Sequence, residues 1–173
     1  MTTLDLFALL PMITLSSAIL IVMLVIAFAR NLALTCLLSC VGLFATVVTI
    51  FWVSSTIEPR LVTPLIIVDS YATLFSFLVV TAAIFISLIS YSYLIDRGKN
   101  QDEFILLLML STLGAVILAH SAHFGSFILG LELVSVSLYA MISYPVKGLF
   151  GLEAALKYLI LSGVSSAFIL FGI

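Results

Sequence analysis

The chain has 173 residues, of which 64% are hydrophobic and 8% charged, with a mean hydropathy of +1.42. A water-soluble core cannot enclose that much apolar surface, so the composition excludes an ordinary soluble domain and implies a membrane protein. A net charge of −2 with six Lys and Arg residues provides no basic patch, which excludes nucleic-acid binding.

The first apolar run, Leu6 to Phe28, reads as a retained transmembrane helix. Ala27-Phe28-Ala29 resembles a signal cleavage site, but the preceding apolar stretch is too long and no positive residue introduces it. After Ala29-Arg30-Asn31 comes a second run, Ala33 to Val53, with Cys36 and Cys40 on one helical face. Four residues apart in an apolar helix, they are expected to be small buried hydrophobes. The Ser54–Asp69 connection contains Pro59 and Pro64; its apolar part, Leu61 to Val68, is too short to span and is expected at the interface. Ser70 to Ile95 is the third span, and Asp96 to Glu103 is a charged turn. Phe104 to Ala119 is the fourth, followed by a turn in which His120 and His123 are expected to be exposed. Phe124 to Tyr144 and Leu149 to Ile173 complete the series. At 1.5 Å rise per residue such runs suit a hydrocarbon core of about 30 Å. The alternating segments of a barrel are missing, so the fold class is all-α: a polytopic transmembrane helix bundle of about six helices.

Basic residues orient the bundle, because Lys and Arg accumulate on the cytoplasmic side. With the N-terminus outside, the cytoplasmic connections hold Arg30, Arg97, Lys99 and Lys147, and the outer ones hold Arg60. No internal repeat is visible.

Charges inside spans are costly, and they commonly mark ion or proton paths. Glu132 lies about 12 Å along its helix by rise per residue. Ser135, Tyr139 and Ser143 share its face and offer a polar path. The alternative role for Glu132 is a helix-to-helix hydrogen bond. In the last span, Lys157 follows Glu153 by four residues, the favourable order for a local ion pair. That supporting pair is either a neutralising bridge or part of a titrating site. The small residues Ser162, Gly163, Ser165, Ser166 and Ala167 suggest helix packing. The sequence has no dinucleotide fingerprint, phosphate loop, iron–sulfur spacing or haem attachment, and two turn histidines do not make a metal site.

Three motifs are more specific: Asp102-Glu103-Phe104 opening a helix, Phe127-Ile128-Leu129-Gly130-Leu131-Glu132-Leu133-Val134-Ser135, and Leu152-Glu153-Ala154-Ala155-Leu156-Lys157-Tyr158. With Thr63-Pro64-Leu65 and Val68-Asp69-Ser70-Tyr71-Ala72 they make the whole chain resemble the N subunit of bacterial respiratory complex I, the proton-translocating NADH–quinone oxidoreductase. The resemblance implies an antiporter-like fold, with residues 1–103 as an N-terminal three-helix segment and 104–173 as the start of the first antiporter-like repeat. It implies a multi-pass protein of the bacterial inner membrane, partnered by lipid and by other membrane-arm subunits. No cofactor is expected in this chain; NAD, FMN, iron–sulfur clusters and quinone would belong to partner subunits. Glu132 and Lys157 match the family's intramembrane glutamate and sixth-helix lysine, which implies a part in proton translocation. The expected mechanism is that Glu132 sets whether a membrane lysine keeps its proton. A unit pair at 4 Å is worth about 4 kcal/mol at an effective dielectric near 20, roughly three pKa units.

Two departures stand out. The family's Ser-Leu-Pro-Leu-Tyr reads Ser135-Val136-Ser137-Leu138-Tyr139 here, leaving a serine backbone bond to bend the helix. Family members are more than twice as long, with broken helices beyond the point where this sequence stops, so the chain is not expected to translocate protons alone. Alternative readings are a subunit of a multi-subunit cation/proton antiporter and a purely structural membrane subunit.

Overall fold

The protein is described here by a computed structural model covering residues 3–95, 101–144 and 149–172. In chain order it comprises α1 (Thr3–Ala8), α2 (Leu10–Phe28), α3 (Leu32–Thr56), β1 (Arg60–Thr63), β2 (Ile66–Val68), α4 (Ser70–Ile95), α5 (Asp102–Ala119), α6 (Phe124–Ser143) and α7 (Leu149–Phe171). Six of these helices, α2 to α7, are long and apolar enough to cross a membrane, in agreement with the all-α, six-span expectation. Arg97, Lys99 and Lys147, on which most of the charge asymmetry rests, lie outside the described residues.

The first span differs from expectation in one respect. It is broken at Leu9 into α1 and α2, with Pro11 in the first turn of α2. Proline has no N–H for the carbonyl four residues back and its ring crowds that carbonyl, so a helix restarts there more readily than it continues. Asn31 caps α3, its Oδ1 accepting from the Ala33 and Leu34 amides at 3.1 and 3.5 Å.

Helix α5 is the hub, packing against α2, α3, α4 and α6, while α7 lies against α6. The core between α2, α3, α4 and α5 is filled by Leu15, Val22, Leu43, Val80, Met109 and Val116. Thr35, Ser39, Thr46, Ser76 and Ser87 are fully buried among them. Small polar side chains suit this place because they let helix backbones approach and can return their hydroxyl to a neighbouring carbonyl. Thr46 does so to Gly42 at 2.8 Å and Ser39 to Cys36 at 2.8 Å. Cys36 is buried as expected, Cys40 is only half-buried, and both cysteine sulfurs lie 3.8 Å from the Ser87 hydroxyl. Large apolar side chains such as Phe44, Phe85 and Ile89 face outward, where lipid rather than water is the solvent.

A close backbone contact joins α5 to α6. A Cβ on Gly114 would stand 2.9 Å from the Val134 amide nitrogen, and one on Gly130 would stand 3.0 Å from the Leu118 amide nitrogen. Neither backbone can yield to a side chain, so both positions require glycine.

The Leu61–Val68 segment is a two-stranded antiparallel hairpin, a structure the sequence reading did not anticipate. Arg60 pairs with Val68 and Leu61 with Ile67, with a register irregularity before Thr63. The hairpin's outer edge is occupied: the Ile67 amide donates to the His120 carbonyl and the Ala122 amide to the Leu65 carbonyl, both at 2.9 Å. Two strands this short do not stand alone. Here they are held by the α5–α6 turn and by burial of Val62 and Val68 against Ala8, Val53 and Ile57. Arg60 reaches Asp5 of α1 at 2.8 Å, which ties the same end of the bundle together.

Candidate functional site

Glu132 lies about half a turn beyond Gly130, eight residues after Phe124, which opens α6. Gly130 and Val134 face α5, and two residues along a helix turn the side chain by about 200°, so Glu132 points away from that contact. It is half-buried, and among the described residues no hydrogen bond or ion pair is formed by its carboxylate. Ser135 is buried one turn on, Tyr139 half-buried two turns on, so the polar stripe read from the sequence is present as a face of α6. Ser143 donates to the Ala140 carbonyl at 2.8 Å. Ser137 donates to the Leu133 carbonyl at 2.8 Å, the i−4 bond by which a serine perturbs a helix.

Lys157 and Glu153 form their i,i+4 pair at 2.6 Å. Both point off the bundle, with side chains 70% and 57% exposed. The structure therefore makes the local pair but brings neither residue to Glu132. By helical rise Glu132 is about 12 Å below the hairpin end of α6 and Lys157 about 12 Å above the opposite end of α7. In packed neighbours of about 30 Å the two charges thus sit within roughly 6 Å of the same depth. The small residues of α7 are largely unpacked: nothing lies within 4 Å of a Cβ built on Gly163.

At the hairpin end His120 is a correction to the exposed-turn reading, for it is buried at 5% exposure. Its Nδ1 lies 2.9 Å from the Val116 carbonyl and 3.3 Å from the Ser76 hydroxyl. A carbonyl only accepts, so Nδ1 carries the proton. Burial lowers the His120 pKa below its ordinary value, opposed by the Val116 bond and by the charge of Asp69. His123 caps α6 instead, its Nδ1 accepting from the Gly125 amide at 3.0 Å while its own amide reaches the Ser126 hydroxyl.

The opposite end holds a cluster that the sequence reading passed over. Glu103, in the first turn of α5, accepts from the Tyr144 hydroxyl at 2.5 Å and pairs with Arg30 at 3.3 Å. One carboxylate thereby joins the α2–α3 turn, the start of α5 and the end of α6. Burial, then the bond and charge of Glu103, raise the Tyr144 pKa, which keeps the phenol a donor. The available signal was that a helix-opening Glu and the Tyr closing the next antiparallel helix must meet at one membrane face. Among the described residues no three of His, Cys, Asp and Glu come together as metal ligands.

The comparisons bear on this arrangement directly. The family described as NADH:quinone oxidoreductase/Mrp antiporter, TM, matches residues 121–173, which contain Glu132, Glu153 and Lys157. NADH-quinone oxidoreductase subunit N of Methylococcus capsulatus is 44% identical over 172 residues, 99% of this chain. Over nearly its whole length the chain is similar to subunit N. It spans 35% of the length of that relative. Among solved structures it is similar to a chain of respiratory complex I from Thermus thermophilus with bound aureothin: TM-score 0.79, 25% identity, covering 94% of this chain and 35% of that one. The fold also matches a chain of the archaeal membrane-bound sulfane sulfur reductase at TM-score 0.82 and 20% identity, covering 98% of this chain and 36% of that one. The chain is thus a multi-pass membrane protein of antiporter-like fold.

Proposed function

We propose that this chain supplies helices to a membrane-arm subunit of a proton-translocating NADH–quinone oxidoreductase. The observation that carries the reading is the 44% identity to subunit N over nearly the whole chain. The site supports it: two opposite charges stand at closely similar depth in packed helices, one of them, Glu132, without a partner among the described residues. In hydrocarbon a carboxylate favours its neutral form, and an approaching ammonium favours the charged one, so movement or titration of a lysine transfers a proton. Glu132 is the proton-path carboxylate in this reading, Lys157 its membrane cation, Glu153 the partner that holds Lys157 at rest, and Ser135 and Tyr139 the polar path.

Electron transfer belongs to partner subunits, which would hold NAD, FMN, the iron–sulfur clusters and quinone. The setting is the bacterial inner membrane, among other membrane-arm subunits. The deciding experiment is proton pumping by the assembled complex carrying Glu132→Gln, scored against NADH–quinone electron transfer. Assembly is retained and pumping falls severalfold; pumping at the wild-type rate would remove Glu132 from the path. A second reading is favoured by one observation, that the matching family also embraces the Mrp cation/proton antiporters. Transport that requires sodium, with no dependence on NADH, would select it.

A further inference from the structure

Between α3 and α4, next to the hairpin, an apolar slot of about 350 Å³ opens on the outer surface of the bundle. Its walls are Ile50, Phe51, Leu74 and Phe77, and Phe51 meets Phe77 edge-on with ring centroids 5.3 Å apart. At its membrane-boundary end lies a smaller cavity of about 70 Å³ that contains Asp69. Ser54, Ser70 and Thr73 line both, so the two are neighbours separated by the thickness of these side chains at most. The result is an apolar slot with a carboxylate beside one end. We propose that this cleft binds a phospholipid with a primary-amine headgroup, its acyl chain in the slot and its ammonium on Asp69.

The charge pattern selects the headgroup. Oδ1 of Asp69 accepts from the Ala72 amide at 2.7 Å and caps α4. Oδ2 has no hydrogen bond among the described residues, and Asp69 is only half-buried. Glu58 is exposed beside the same mouth, and the nearby Arg60 is engaged by Asp5 at 2.8 Å. An anionic headgroup would meet uncompensated negative charge there, and a choline headgroup has no N–H to donate. A primary ammonium donates to Oδ2, and the exposed hydroxyls of Ser54 and Ser70 face the phosphate and ester oxygens. Depth agrees: Asp69 precedes the first residue of the α4 span, where headgroups lie.

The subunit is purified in its native assembly and reconstituted with phosphatidylethanolamine bearing a photoreactive group on its acyl chain, and the labelled peptides are mapped. Label is expected on the peptides containing Phe51 and Leu74, competed by unlabelled phosphatidylethanolamine and not by phosphatidylcholine. Asp69→Asn keeps the capping oxygen but loses the charge, and is expected to reduce this labelling by about tenfold. Ser54→Trp, which fills the junction of the two cavities, is expected to abolish it. Labelling that is unchanged in Asp69→Asn, or equally competed by both lipids, overturns the proposal. So does the absence of label from these peptides.

Discussion

Single atoms decide how closely α5 and α6 approach. At Gly114 a methyl group meets the Val134 amide nitrogen at 2.9 Å and the Gly130 carbonyl at 3.0 Å, and main chain does not move aside as a flexible side chain does. Gly114→Ala is therefore expected to destabilise the α5–α6 pair by about 1–3 kcal/mol, measured as a lowered unfolding midpoint of the purified assembly. Under the proposed function, loss of pumping is expected with it, since α6 carries Glu132. His120 supplies a pH dependence of known sign. Its folded pKa lies below the ordinary value near 6.5, so the folded state takes up its proton less readily than the unfolded chain. Its contribution is fully present above the unfolded value and is lost as pH falls through the folded one. Melting points taken from pH 7.5 to 5 should fall less steeply in His120→Gln than in the unmodified protein. A parallel fall in both would assign the acid sensitivity to other groups.

Among elements, the hairpin depends most on others. Its strands span four and three residues, and its seat is the turn that carries His120 and opens α6. The Ser126 hydroxyl is 2.6 Å from the Leu65 carbonyl and 2.7 Å from that of His123, sharing one proton between hairpin and cap. Ser126→Ala should cost about 1 kcal/mol and loosen the seat. Faster amide exchange at Ile67 and Ala122, with exchange in α3 unchanged, is the expected signature. At the other end the Arg30–Glu103 pair is too exposed to hold helices by itself. The partly buried Tyr144 bond is the firmer link.

For the whole molecule, the Glu153–Lys157 pair is informative because it faces outward at membrane depth. A charge left alone near the centre of a span costs about 2.5–3.5 kcal/mol on insertion scales. Lys157→Gln, which strands Glu153, should lower the amount of assembled subunit in membranes. Adding Glu153→Gln should restore assembly. Pumping that stays impaired in the restored double variant is expected from a proton role for Lys157; recovery of pumping would mark the pair as a neutralising bridge. Much of this architecture was legible in the residues: the six spans, their all-helical class and the positions of Glu132 and Lys157 along their helices follow from hydropathy and rise per residue, which are local properties. The local pair of Glu153 with Lys157 was legible for the same reason, since helical spacing alone brings them together. The hairpin was not, because Leu61–Val68 is short and apolar and becomes β only where the 120–122 turn satisfies its edge. The burial of His120, the Glu103–Tyr144–Arg30 cluster and the cleft beside Asp69 were equally hidden. Each joins residues far apart in sequence, so only the packing of helices against one another could place them together.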